Sequence, residues 1–373
     1  MTEIYLIRHT QAEGNLYRAM QGHWDGDVTA LGLREIELLA ERFRGVKLDA
    51  LYSSDLKRAV LTARGVGRYA GLEPVKLPEL REINVGPWES RFFADAAFED
   101  PERMELFIHR AEAFSLDGAE SYHEVRRRAS AALVGIAERN DGKSVAVVSH
   151  GVTIRCLLSF ILGKSLDDPS LPICGNTGVC RLLYSGGSFT VDYINDCSHL
   201  AALGVPHWTN TENLRGEAIE PMREKDFYRA CYADAWRAAH GTLDGFEPEG
   251  YLRSAQEHFL ADRGAVIKIW SGDREVGLVD LDPLRGAHAG YGWVSLLYLR
   301  GEYRGRGLGI QLLGRAMMRF SALGRRSVRL HVAADNAPAL RFYEKHGFRR
   351  LSTESGALGD VYLMEFRYGE SHV

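Results

Sequence analysis

Glu3-Ile4-Tyr5-Leu6-Ile7-Arg8-His9-Thr10 opens the chain with a short apolar run that stops abruptly at an arginine and a histidine. Ile, Leu and Tyr in so short a run predict a buried strand. At the carboxyl end of a strand, Arg8 and His9 would stand at the mouth of an open α/β sheet, where ligands bind. A second run, Ser144-Val-Ala-Val-Val-Ser149, ends the same way, in His150, and Gly151 then starts a helix. If the two strands are neighbours, their histidines lie side by side.

Between them the chain alternates. Thr29 suits an N-cap for an amphipathic helix with Ile36, Leu39, Ala40 and Phe43 on one face. Leu51-Tyr52-Ser53 reads as a short strand, and Ser53-Ser54-Asp55 as the cap of a helix carrying Leu56, Ala59, Val60 and Ala63. Residues 72–118 read as irregular, broken by Pro74, Pro78, Pro87 and Pro101. Ser121 and Glu124 have capping-box spacing for a helix to about Glu138. Residues 178–184 and 189–194 form a hairpin around Gly186-Gly187. This order predicts a three-layer α/β/α domain with a mostly parallel sheet.

A chain of 373 residues is long for one domain, and two are expected: 1–200, a polar linker over 201–215, and 216–373. The second segment predicts an α+β fold. Its elements are a strand (218–221), helices (224–240, 248–261), strands (264–271, 274–282, 291–299), a helix (308–323), a strand (327–333), a helix (338–346) and strands (348–352, 360–366). A net charge of −4 gives no reason to expect nucleic-acid or membrane partners. Cys156, Cys174, Cys180, Cys197 and Cys231 are odd in number and form no Cys-x-x-Cys pair. Neither a disulfide framework nor a zinc site is expected, and a cytoplasmic location is favoured. No basic segment precedes the first apolar run, so no signal peptide is expected, and no stretch approaches the ~20 apolar residues that span a bilayer. Nothing in the sequence speaks to oligomeric state.

The first domain collects donors for a phosphate dianion: Arg8 and His9, Asn15, Arg58 in the first turn of a helix, and His150. A neutral imidazole can attack phosphorus, guanidiniums can neutralise the oxygens, and a carboxylic acid must protonate the leaving oxygen. Glu82 and Glu89 share the loop that offers this acid. These segments resemble the histidine phosphatase (phosphoglycerate mutase-like) superfamily: Arg8-His9, Asn15, Gln21-Gly22, Asp25-Gly-Asp-Val-Thr29, Ser53-Ser54-Asp55-Leu-Lys-Arg58, Glu82 and Ser149-His150-Gly151. The resemblance implies His9 as nucleophile, Arg8, Arg58 and His150 as the phosphate pocket, Glu82 as proton donor, a small phosphomonoester as substrate, and no metal. Thr10-Gln11 replaces the family's frequent Gly-Glu and is expected to tune substrate choice. The loop over 86–120 lacks the Arg-His-Tyr-Gly segment of the mutase branch, which favours a phosphatase.

The second domain holds Arg300-Gly-Glu-Tyr-Arg304-Gly305-Arg306-Gly307-Leu308-Gly309 between a strand and a helix. Glycines let backbone N–H groups turn toward an anion, and the helix end adds its dipole. The loop is similar to the Arg/Gln-x-x-Gly-x-Gly/Ala pyrophosphate loop of the GNAT N-acetyltransferase superfamily. Asp335-Asn336 through Tyr343 to Gly347-Phe348 resembles a second motif of that family. The resemblance implies acetyl-CoA as co-substrate and an unidentified amine as acceptor. It also implies Asn336 as a cofactor contact, Tyr343 as the acid for the departing thiolate, and the backbone at Tyr298 and Leu299 along the pantetheine arm. Candidates for a base are Glu302, Asp280, His331 or a water relay. A bifunctional enzyme is the expectation; a phosphatase with an acyl-CoA-sensing module and a phosphosugar mutase are the alternatives.

Overall fold

A computed structural model describes residues 1–204, 212–356 and 358–369. The chain separates into two compact units, 1–210 and 211–373. The middle of the expected linker, 205–211, lies outside the described residues, whereas Arg215 already begins a strand.

The first unit runs β1 (Thr2–Arg8), α1 (Glu13–Tyr17), α2 (Ala30–Phe43), β2 (Ala50–Ser53), α3 (Lys57–Gly67), β3 (Val75–Lys76), α4 (Phe93–Glu99), α5 (Pro101–His109), α6 (Tyr122–Arg139), β4 (Ser144–Ser149), α7 (Gly151–Leu162), β5 (Val179–Ser185) and β6 (Ser188–Asp196). Its sheet has the order β3-β2-β4-β1-β5-β6. The first four strands are parallel, and the β5–β6 hairpin adds antiparallel to β1. Strand alternation sorts the core into two faces. Ile4, Leu6, Val145 and Val147 pack on α6 and α7 with Leu133, Ile136, Ile154 and Leu157. Ile7, Ala146 and Val148 pack on α2 and α3 with Leu39, Phe43, Ala59 and Ala63.

Two local readings are corrected. Residues 72–118 are not irregular throughout, because α4 and α5 lie within them. Pro101 occupies the first turn of α5, where its missing N–H costs nothing, and Asp100 caps that helix by accepting from Arg103 N–H at 3.1 Å. The cap of α3 is also not the local one. Asp55 pairs instead with Arg81, and Asp25, from the distant loop, accepts from Lys57 N–H at 2.9 Å. Thr29 and the Ser121/Glu124 pair cap α2 and α6 as their spacing predicts.

The second unit runs β7 (Arg215–Ala218), α8 (Lys225–His240), α9 (Pro248–Ala261), β8 (Val266–Ser271), β9 (Arg274–Asp282), β10 (Tyr291–Leu299), α10 (Gly309–Ala322), β11 (Ser327–Ala333), α11 (Ala337–Lys345), β12 (Arg349–Gly356) and β13 (Gly359–Arg367). β7 starts three residues before the predicted strand, since Pro221 cannot donate to a ladder and Ile219 makes its last bond to Val266. The sheet order is β12-β13-β11-β10-β9-β8-β7. Only β10 and β11 are parallel, and they pair over just Tyr291–Trp293 against Ser327–Arg329. A bulge interrupts β10 between Val294 and Leu296. Beyond Trp293 the two strands separate. Among the described residues no helix is long and apolar enough to cross a membrane.

Candidate functional site

Parallel pairing sets Arg8 opposite Ser149, so the next residues, His9 and His150, leave the sheet side by side. Their ring centroids are 5.0 Å apart. His9 Nδ1 lies 2.6 Å from the Thr10 carbonyl oxygen. A carbonyl only accepts, so Nδ1 carries the proton and Nε2 keeps its lone pair. Burial, then Arg58 and Arg8, hold the His9 pKa well below its ordinary value, and the ring is neutral. Burial and the same two guanidiniums, with His9, depress His150 likewise. Both His150 ring nitrogens are buried with no hydrogen-bond partner among the described residues.

Two guanidiniums approach from two elements, Arg8 from the end of β1 and Arg58 from α3. Arg8 Nη1 donates to the Cys174 carbonyl at 2.5 Å. Arg58 is fully buried, and its guanidinium donates to the carbonyls of Gly22 (2.8 Å), Trp24 (3.1 Å) and Gln21 (3.2 Å). Burial pushes its pKa down to about 10, which leaves it a cation at neutral pH. Glu82 sits over the start of α7, where its oxygens accept from Val152 N–H at 3.1 Å and Thr153 N–H at 3.0 Å. A cavity of about 230 Å³ is lined at one end by Arg8, His9, Asn15 and Glu82. Arg58 and His150 are not among the residues that line it.

In the second unit, Gly305 and Gly307 take φ of 72° and 76°, the left-handed region that glycine favours. Open space surrounds both. Leu308 offers no capping side chain to α10, and no acid lies in its first turn, so the first N–H groups remain for an anion. Because β10–β11 pairing stops at Trp293, Tyr298 and Leu299 make no ladder pair with β11. Tyr298 donates its hydroxyl to Asp234 at 2.7 Å, and Arg304 Nε donates to the Leu299 carbonyl at 2.7 Å. Asn336 Oδ1 accepts from Ala339 N–H at 3.1 Å, so this atom caps α11. Tyr343 packs between Phe342 and Phe348, and burial raises its pKa, keeping the phenol protonated.

Residues 4–197, just over half the chain, match the family described as histidine phosphatase superfamily (branch 1). The chain belongs to the histidine phosphatase superfamily. Residues 225–348 match the acetyltransferase (GNAT) family. Probable phosphoglycerate mutase GpmB of Yersinia pestis (strain Pestoides F) is 35% identical over 205 residues, covering 54% of this chain and 95% of that protein. The solved structure of Bacillus stearothermophilus YhfR aligns with a TM-score of 0.52 at 31% identity, covering 54% of this chain and 100% of that one.

In this histidine phosphatase domain the expectation for Thr10-Gln11 needs correction. Thr10 is fully buried, with its hydroxyl turned to the Gly32 carbonyl at 2.6 Å and to Glu35. The Gln11 side chain accepts from the Thr29 hydroxyl at 2.8 Å. Both brace α2 rather than touch the cavity. Glu89 is a brace as well: it accepts from the N–H groups of His23 (2.7 Å) and Trp24 (2.8 Å), and it does not line the cavity, whereas Glu82 does. Among the base candidates of the GNAT domain, Asp280 is locked. His258 Nδ1 lies 2.7 Å from one oxygen and the Tyr228 hydroxyl 2.8 Å from the other. His331 bonds Glu354 at 3.1 Å, and Glu302 is exposed. Sequence reasoning missed Asn176, whose amide donates to the His9 carbonyl at 3.0 Å, and the cavity residues Phe93, Phe107 and Arg155. For the two phenylalanines a signal exists: Phe93 with Ala96 and Ala97, and Met104 with Phe107, have helical spacing on either side of Pro101.

Proposed function

We propose that the chain is a bifunctional enzyme that hydrolyses a phosphomonoester through phospho-His9 and transfers an acetyl group from acetyl-CoA to an amine. The observation that carries the first activity is the neutral His9 beside His150, with the buried guanidiniums of Arg8 and Arg58 and a carboxyl, Glu82, on the cavity wall. His9 Nε2 bonds to phosphorus as the ester P–O bond breaks. Arg8, Arg58 and His150 bear the charge on the phosphoryl oxygens, and Glu82 gives its proton to the leaving oxygen. Water then attacks phosphorus and returns a proton to Glu82. The N–P bond breaks, and the products are an alcohol and orthophosphate. The Yersinia relative's name points to a mutase, in which the phosphoryl group returns to substrate. Free orthophosphate as the sole phosphorylated product, with a trapped phosphohistidine absent from His9→Ala, supports the phosphatase. Full turnover by His9→Ala overturns it.

In the second unit the residues present fit a CoA pyrophosphate, through the uncapped N–H groups at the start of α10 and the glycine turn before it. When bound, acetyl-CoA supplies the activated acetyl group. The stretches of β10 and β11 that do not pair with each other would hold an extended arm as an added strand, and the Tyr343 phenol holds a proton for the thiolate. Because both oxygens of Asp280 are engaged, a second reading, in which the domain binds acyl-CoA without transferring it, has a specific observation behind it. An amine panel that releases CoA thiol favours transfer. Acetyl-CoA binding that shifts phosphatase rate, with no acetylated amine, favours sensing.

A further inference from the structure

The phosphatase cavity extends well past the groups that phosphoryl transfer uses. Phe93 from α4 and Phe107 and Ile108 from α5 form an apolar wall. The wall is held by edge-on ring contacts of Phe107 with Trp88 (5.9 Å) and Phe114 (5.1 Å). At the rim Ile108 and Ile173 are 47% and 46% exposed, apolar side chains left in water beside the opening. Two cations besides Arg8 line the cavity, Arg18 and Arg155. Arg155 Nη2 donates to the Leu166 carbonyl at 3.1 Å, its Nε is buried without a partner, and no carboxylate pairs with it among the described residues. Arg155 lies on α7 one turn past Gly151, about 6 Å farther along the helix from the phosphate end.

We infer that the leaving group of the phosphatase is a flat apolar body, of the aryl class, that carries a second anion, a carboxylate or its equivalent, for Arg155. This rests on the phosphohistidine reading of the same site. A small polar phosphate such as 3-phosphoglycerate would leave the phenylalanine wall against water and strip water from its hydroxyl without a replacement partner. An aryl ring covers the wall, and a carboxylate at its far end supplies the acceptor that the guanidinium lacks. Hydrolysis keeps the balance given above, with the phenol as the alcohol product.

The test uses the full chain with three probes: phenyl phosphate, 4-carboxyphenyl phosphate and 3-phosphoglycerate. For the wild type, kcat/KM for the carboxyphenyl ester is expected to exceed that for phenyl phosphate at least ~10-fold, as one charge-assisted hydrogen-bond pair supplies. It is expected to exceed that for 3-phosphoglycerate by ~100-fold. Arg155→Met should collapse the first ratio to near one. Ile108→Asp, at the exposed rim, should shrink both aryl preferences over 3-phosphoglycerate. Ratios taken within one variant cancel any loss of folded protein. A wild-type carboxyphenyl-to-phenyl ratio at or below one, a ratio unchanged in Arg155→Met, or a preference for 3-phosphoglycerate overturns the inference. Undiminished turnover by His9→Ala would instead overturn the phosphohistidine reading beneath it.

Discussion

Both units bury a histidine beside charged groups, and they hold it in opposite protonation states. His9 and His150 face Arg8 and Arg58, and burial acts in the same direction as those cations, so both rings are neutral. His258, on α9, lies between Asp280 and Asp282. There burial opposes the charge, but hydrogen bonds to the two carboxylates prevail and raise its pKa to about 9. Asp282 is correspondingly lowered to about 2. Burial alone therefore does not set the state of a histidine; the sign of its nearest neighbours does. One arrangement gives a neutral ring, as the proposed attack on phosphorus needs, and the other a buried ion pair.

The sharpest way to break this contrast is to remove each histidine's function. His9→Ala should lower phosphatase kcat by at least about three orders of magnitude, measured as phosphate release, because the covalent step disappears. Asp280→Asn should leave that rate intact yet destabilise the second unit by about 1–3 kcal/mol, read from hydrogen exchange of β8 and β9, since it removes one of the two carboxylates that hold the buried, charged His258. A wild-type exchange pattern would mean that His258 is neutral after all.

Proton linkage sharpens the comparison further. Unfolded histidines bind protons below about 6.5, whereas folded His9 and His150 do not, so the first unit should lose stability as pH falls below that value. Folded His258 holds its proton up to about 9, so its contribution is complete below about 6.5 and is lost as pH rises through 9. Unit-resolved hydrogen exchange at pH 5.5, 7 and 9 should show opposite slopes, each on the order of 1–3 kcal/mol. The acid limb of phosphatase kcat/KM should likewise fall below 6.5, because the attacking ring must be unprotonated; an acid limb above 6.5 would contradict a depressed His9. Smallest of all, Thr29→Ala removes the α2 cap and the bond to Gln11. It should cost about 1 kcal/mol in thermal or denaturant unfolding and change kcat little.

The pairing of His9 with His150 was legible because each ends an apolar run, and a parallel sheet brings such ends together. The order of strands and helices likewise predicted helices on both faces of the first sheet. What escaped depends on distance or on ambiguous punctuation. Pro101 reads equally as a breaker and as the first residue of a helix, and that ambiguity hid α4 and α5 and with them the cavity wall. The Asp25 cap of α3 and the His258–Asp280 pair join residues more than 20 positions apart, beyond any local spacing rule. Thr10 illustrates the opposite error. Adjacent to the nucleophile in sequence, it alternates away from the site in space.

The brief β10–β11 ladder has a mechanical consequence. A sheet joined at its middle by three residue pairs is two half-sheets sharing a hinge. Anything extended that bridges the open seam becomes a suture, and its binding energy adds to the cohesion of the whole second unit. Resistance of β11 through β13 to proteolysis would then report occupancy of the seam directly, without any need for an acceptor molecule.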